Sequence, residues 1–489
     1  MAHTNRNFVL NIVSIAVAIY GITMIPSIIM AVRYHETGIY TSMSAIALVC
    51  IPVGLIGYKM LPNTETSVRR KTCYLTTISC WIIVIMLSAV PYYAAGEGYS
   101  FIDCIFESSA SWATTGINAI PVSGMPIGLK FWRSTCNWLG GVGIILLTLT
   151  FLPSWQFVGH KLVTTEIRGP VFLMSTTTFR KTYRRILLIY FTITITQYIA
   201  LRLAGMNQFN SILTTMSNTS TSGLQHINNG TVIGLSMPVK IILTIFAFAA
   251  SSNVTLAVSM LLGKFDRVRK SSEMKFYIAE ILIVSTVLTI TLQISAPSPE
   301  EAFSFGDVLM QIVSFASTAG YIVTDCRSWG AFETFAVTAV MLIGACSFST
   351  GGGIKASRAV FACKTLSNNN YMHVHPHATR SISYNGKPIS KEAVGESNTY
   401  VALFIITFLI GGLLLTVDGT DVYSALSYCL AALTNSGTPV YDITNAGIVS
   451  DMSTFSKAVM SVLMLCGRLE IYPVLMLFTA RIWRLGGVD

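Results

Sequence analysis

Charge is scarce in this chain. Asp, Glu, Lys and Arg supply only 11% of its 489 residues, against about 25% in an ordinary soluble domain. That is too little to solvate the three or so globular domains the length would otherwise allow. Paired thiols are lacking as well. The 10 cysteines run from Cys50 to Cys466 without a single C-x-x-C spacing, so no zinc or dithiol motif is offered, and those inside apolar runs read as small hydrophobes. No cleavable leader is visible either. The first apolar run, residues 8–32, is longer than the roughly 7–15 residues of a signal-peptide core and reads as a retained span. What the chain has is apolar surface: 52% hydrophobic residues and a mean hydropathy of +0.62. This is the composition of an all-α polytopic membrane protein.

A helix crossing a hydrocarbon core of about 30 Å needs roughly 20 mainly apolar residues. Ten runs meet that length, at 8–32, 41–58, 73–95, 131–153, 186–204, 236–262, 276–295, 331–366, 400–417 and 455–482. The eighth is interrupted at 349–353 by Ser-Thr-Gly-Gly-Gly. Counting the loops gives orientation. Of 32 Lys and Arg, 24 fall on the side that also holds both termini, which makes that side of a multi-pass chain the cytoplasm. The opposite side carries 13 of the 22 acids. The net +10 is therefore loop charge beside an anionic leaflet and no footprint for nucleic acid. The outer acids have two readings, a field that concentrates cations and ordinary loop solvation.

A short element recurs four times between spans. It ends in hydroxyl residues and a glycine: Thr114-Thr115-Gly116, Ser222-Gly223, Thr318-Ala319-Gly320 and Asn435-Ser436-Gly437. The glycines are 107, 97 and 117 residues apart. The repeating unit is then helix, re-entrant half-helix, glycine turn, helix. It divides the chain into two N-terminal spans (1–65) and four units, at 66–165, 166–270, 271–395 and 396–489. Non-helical backbone at membrane depth is tolerated only where protein buries it or where it lines a wet cavity. Four such segments converging on one axis can present backbone carbonyls that replace the hydration shell of a monovalent cation. Glycine admits the φ values that aim successive carbonyls inward.

At these residues the chain resembles the TrkH/TrkG potassium-uptake subunits of bacteria, in the superfamily that includes the KtrB and HKT transporters. The likeness covers nearly the whole chain. It includes Asn137-Trp-Leu-Gly-Gly-Val-Gly-Ile144, Leu201-Arg-Leu-Ala-Gly-Met206, Ser349-Thr-Gly-Gly-Gly-Ile-Lys355 and Gly467-Arg-Leu-Glu-Ile-Tyr-Pro473. The resemblance implies a four-fold pseudosymmetric pore in one polypeptide, a homodimer, and a cytoplasmic regulatory subunit of the TrkA type that binds NAD or ATP. It places the filter glycines on Gly116, Gly223, Gly320 and Gly437. Glycine at 116 favours potassium, since a serine there accompanies sodium selectivity in relatives. The intramembrane gate falls on 344–353, with Gly344, Ser349, Thr350, Gly351, Gly352 and Gly353, followed by Lys355. The pore arginine falls on Arg468. No cofactor in the chain itself is implied.

Other residues carry competing readings. Arg468 either faces the pore below the filter and raises the barrier to cations, or pairs with Glu470; residues two apart on a helix do not face each other, which favours the pore. Ser349–Gly353 lacks the G-x-x-x-x-G-K-[ST] spacing of a phosphate loop and reads as a gate or as a packing kink. Glu280 is a proton-relay candidate that sits near enough to the interface to snorkel. His373, His375 and His377 form a polar loop surface or a metal cluster. Asp103 and Glu107 form a cation funnel or a solvated face. An enzyme would require convergent His, Asp or Glu at the membrane interior, where the spans offer only Glu280, Arg468 and Glu470, so no enzyme is expected. Sodium or mixed transport, and a coupled transporter for another solute, are the alternatives to potassium uptake. Coupled proton entry and passive conduction are both open.

Overall fold

Apolar runs of this length leave the backbone no hydrogen-bond partner but itself, and the chain answers with helices. The computed structural model describes residues 2–61, 70–95, 98–122, 124–143, 179–223, 226–227, 230–261, 263–296, 303–326, 329–375, 381–440 and 449–478. Helices α1 (Ala2–Thr23), α2 (Ile25–Arg33) and α3 (Thr37–Met60) come first. Pro26 sits in the first turn of α2, where its missing N–H costs nothing. Gly54 of α3 lets that helix close on Ser14 and Ala18 of α1, the small-residue contact typical of membrane helices.

Four units follow. The first comprises α4 (Arg70–Ala94), α5 (Phe101–Trp112) and α6 (Ile127–Val142). The second comprises α7 (Phe179–Leu203), α8 (Gln208–Thr219), α9 (Met237–Ser251) and α10 (Val254–Leu261), with a short α11 (Phe265–Arg269) after it. The third has α12 (Ser272–Ser295), α13 (Phe305–Ala316), α14 (Ala331–Ile343) and α15 (Ala356–Val374), followed by a hairpin of β1 (Ser383–Tyr384) and β2 (Lys387–Pro388). The fourth has α16 (Lys391–Leu415), α17 (Val422–Leu433), α18 (Thr454–Leu469) and α19 (Tyr472–Leu477). Glu36, just before α3, accepts from the backbone N–H of Ile127 at 2.5 Å and Gly128 at 2.8 Å. It thereby satisfies orphan donors at the start of α6 and fastens the N-terminal helices to the first unit.

The ten runs do not become ten long helices. Among the described residues, 6 helical stretches are long and apolar enough to cross a membrane. The runs expected at 131–153, 236–262, 331–366 and 455–482 are shorter helices that stop part-way. α6 stops at Gly143 (φ +99), α14 at Gly344 (φ +71), and α18 at Glu470 (φ +60) and Ile471 (φ +47); α9 gives way to α10 at Ser252-Asn253. Helical φ is negative, so a left-handed residue ends the ladder outright. From sequence alone such a break is expected only in the third unit, at 349–353.

Packing closes the four units on one another. α6 lies against α5 and α8, α9 against α8 and α13, α14 against α13 and α17, and α18 against α17 and α5. Each second helix therefore wedges between its own half-helix and the next, and the fourth returns to the first.

Candidate ion pathway

The half-helices α5, α8, α13 and α17 are each 12 residues long. Each is capped by a side chain that accepts from the N–H three residues on: Ser100 from Asp103, Asn207 from Asn210, Ser304 from Asp307, and Asp421 from Ser424. Each also ends alike. Thr115 N–H donates to the Ala110 carbonyl, Ser222 to Ser217, Ala319 to Ser314 and Ser436 to Ala431, at 2.8–3.1 Å. That is the six-to-one bond of a Schellman motif. The left-handed residue it needs is Thr114, Thr221, Thr318 or Asn435, with φ between +54 and +57. Three of the four are β-branched, for which this conformation costs on the order of 1–2 kcal/mol. Two residues on, Gly116, Gly223, Gly320 and Gly437 are again at positive φ, +67 to +80.

The turns touch in sequence around a ring. A Cβ added to Gly116 would fall on the Ser222 carbonyl oxygen, one at Gly320 on that of Ser436, and one at Gly437 on that of Thr115. Asn435 Nδ2 donates to Thr115 Oγ1 at 2.9 Å, and the Thr438 hydroxyl donates to the Gly320 carbonyl. Beyond the turns, Val232 N–H donates to Ile322 O at 2.8 Å and Val449 N–H to Asn118 O at 2.8 Å. Segments one and two, two and three, three and four, and four and one are thus each in contact. Among the described residues, the carbonyls of Thr115, Ser222, Ala319 and Ser436, the residue before each glycine, accept no hydrogen bond.

The loop between α14 and α15 presses on the ends of these half-helices. A Cβ at Gly352 would fall on the Thr434 carbonyl, and one at Gly351 would lie 2.8 Å from that of Ser317. Gly352 N–H donates to Thr318 Oγ1 at 2.7 Å, and the Thr350 hydroxyl reaches the carbonyls of Thr219 and Ala250, both at 3.2 Å. Ser349 Oγ turns inward to the Cys346 carbonyl. Lys355, 1% exposed, aims its ammonium at the carbonyls of Cys346 and Gly351 and so braces the loop from within. Gly344 and Gly353 lie back to back at the neck. The sequence-predicted gate residues therefore come together in one body beneath the second, third and fourth turns.

Arg468 is 4% exposed. Its Nη2 donates to the carbonyls of Gly140 and Gly141 at the end of α6, and the guanidinium sits 5.5 Å from the Trp81 ring centre. It lines a cavity together with Gly141, Thr219, Ala250, Ser349 and Thr350, between the half-helix ends and the loop. Glu470 pairs elsewhere: Arg358 holds it through two bonds, at 3.0 and 2.6 Å, while stacking 3.7 Å over the Tyr400 ring.

Neither reading of Glu107 survives. It is 0% exposed and accepts from the N–H groups of Ala119 (3.1 Å) and Ile120 (3.3 Å) and from Arg133 Nε. It pins the chain that climbs away from the first turn. Gln311 does the same in the third unit, accepting from Val323 at 2.7 Å and Thr324 at 3.2 Å. In the second unit Thr214 meets His226 at 2.9 Å. Sequence reasoning missed this brace because its residue type changes from unit to unit; its fixed place in the first three units, nine residues before the glycine, was the available signal. Asp103 is bound to Lys457 at 2.6 Å. With Glu36 at α6, Asp418 at the start of α18 and Asp421 at α17, several outer acids are spent on helix N-termini, where the dipole favours them. Both Glu280 oxygens are enclosed without a hydrogen-bond partner, so no relay leads on from it among the described residues. His373 and His375 are exposed at the end of α15, His377 lies outside the described residues, and among the described residues no group of three or more His, Cys, Asp or Glu is placed to hold a metal.

The chain belongs to the TrkH cation transport protein family, whose family model matches residues 40–296 and 276–485. It is 27% identical to the Trk system potassium uptake protein TrkH of Vibrio parahaemolyticus, over 97% of this chain and 99% of that one. The Trk system potassium uptake protein TrkI of Halomonas elongata is 28% identical over 84% of this chain and 83% of its own. The crystal structure of the potassium transporter TrkH from Vibrio parahaemolyticus superposes with a TM-score of 0.85 at 25% identity, covering 98% and 99% of the two chains. The chain is accordingly an integral membrane protein of a transport family and not an enzyme.

Proposed function

We propose that this chain carries potassium into a bacterial cell across the inner membrane, through a filter formed by residues 114–116, 222–223, 318–320 and 435–437. The observation that carries the reading is the ring of four similar turns whose penultimate carbonyls accept no hydrogen bond from a described residue. Buried carbonyls need a partner, and four around one axis find it in a dehydrated cation. The relatives' potassium names support the choice of ion. Loop 344–355 is the gate beneath the filter, and Arg468 adds a positive barrier beside it. Both termini are cytoplasmic, the working form is a homodimer of the four-unit chain, and a TrkA-type nucleotide-binding subunit regulates it from the cytoplasm. An inside-negative potential contributes about 2.3 kcal/mol per charge per 100 mV, enough to drive accumulation without a second ion.

The test is growth at low potassium of a bacterium stripped of its own uptake systems, carrying the chain with and without the partner. Rescue supports the reading, and rescue only with the partner supports the regulatory subunit. Good membrane insertion with neither growth nor potassium uptake contradicts it.

A further inference from the structure

Glu273, the second residue of α12, is a buried acid that the conduction path does not use. It is 1% exposed. One oxygen accepts the Ser347 N–H of the gate loop at 2.6 Å, and the other accepts Asn253 Nδ2 at 2.9 Å. Asn253 marks the break between α9 and α10, where its own oxygen accepts from Thr255 N–H at 3.0 Å. One carboxylate therefore ties the gate loop to the helix break of the neighbouring unit. Ser347 is held a second time, by the hydroxyl of Ser357 in the first turn of α15.

The β1–β2 hairpin backs on to this knot. Its turn, Asn385-Gly386, has φ of +52 and +79, the type I′ geometry that an Asn-Gly pair favours. Asn385 Oδ1 accepts the N–H of Ser272 at 2.7 Å, the residue immediately before Glu273. Tyr384 is 7% exposed and lies against Phe361 of α15, ring centres 4.9 Å apart. Burial, and after it the negative charge of Glu273, push the Tyr384 phenol above its ordinary range. Lys364 of α15 donates to the Ser383 carbonyl at 2.6 Å. A bare connector from α15 to α16 requires none of these contacts. The hairpin instead holds the first turn of α12 and the helix that leaves the gate loop, which are the two supports of Ser347.

We propose that hairpin 383–388 is the cytoplasmic latch of loop 344–355, acting through Glu273, so that displacing the hairpin releases the loop. This rests on reading that loop as the gate.

The experiment is potassium flux through the full-length chain in liposomes, without any partner. Asn385→Gly keeps the turn and deletes the cap on Ser272, Tyr384→Phe deletes only the phenol oxygen, and Glu273→Gln weakens the grip on Ser347. Asn385→Gly and Glu273→Gln should each raise flux about 5-fold, the size of one lost hydrogen bond, and Tyr384→Phe should raise it by less. The Asn385→Gly/Glu273→Gln pair should exceed Glu273→Gln alone by little, because both act on one linkage. A rise with Glu273→Gln but none with either hairpin variant overturns the latch and leaves the gate standing. Fully additive effects also overturn it, since the hairpin would then act by another route. If Gly351→Ala and Glu273→Gln both leave flux unchanged in well-folded protein, the gate reading falls and the latch falls with it.

Discussion

Asn435 of the fourth turn donates its side-chain amide to Thr115 Oγ1 of the first, at 2.9 Å, across 320 residues of sequence. The same amide reaches the Met464 carbonyl of α18 at 3.0 Å. This seam is where the ring closes, and asparagine suits it twice over: it tolerates the left-handed backbone better than a β-branched residue and brings a donor. Asn435→Ala should lower stability by about 1–3 kcal/mol, the range for a buried hydrogen-bonding group left unsatisfied. A melting curve in detergent checks this, and the same sample should discriminate less between potassium and sodium.

Glu107 and Arg133 form a buried ion pair in the first unit, while Gln311 makes the equivalent bonds in the third without a charge. The position matching Arg133, seventeen residues after the glycine, is Val337 there. Arg133→Val alone strands a buried carboxylate and should cost about 3–5 kcal/mol. Glu107→Gln/Arg133→Val copies the third unit and should recover most of that loss. Equal melting temperatures for the single and double variants would show that the two residues do not act as a pair.

These two cases mark what was legible in the sequence. The four glycines could be read because positive φ favours that residue type, and at Gly116, Gly320 and Gly437 a neighbour's carbonyl leaves no room for a Cβ. The brace nine residues earlier could not, because Glu107, Thr214 and Gln311 meet the same need with different chemistry, and their partners lie about twelve residues ahead in irregular chain. The helix breaks were hidden for a related reason. Gly344 stands next to a glycine-rich run, whereas Glu470 and Ile471 are not glycine; at positive φ, Glu470 is held by Arg358 and Ile471 is buried.

Arg468 lies beside the cavity under the turns. Two unit charges about 10 Å apart at an effective dielectric of about 20 interact by roughly 1.7 kcal/mol, which is more than tenfold in rate. Arg468→Ala should therefore raise potassium flux by about that factor, and Arg468→Lys, which keeps the charge, should change it little. Tracer uptake into liposomes under a fixed potential separates the two. Equal behaviour of both variants would place Arg468 in packing alone.

The proposed filter at the four glycine turns is tested by the ratio of potassium to sodium flux through the reconstituted chain, compared with Gly116→Ser. A serine Cβ at 116 collides with the Ser222 carbonyl, so the ring must deform where it would hold the ion. A potassium filter at these turns gives a ratio well above one for the natural chain and a marked fall, toward sodium, for the variant at equal expression and folding. A ratio that stays the same after the substitution would contradict it.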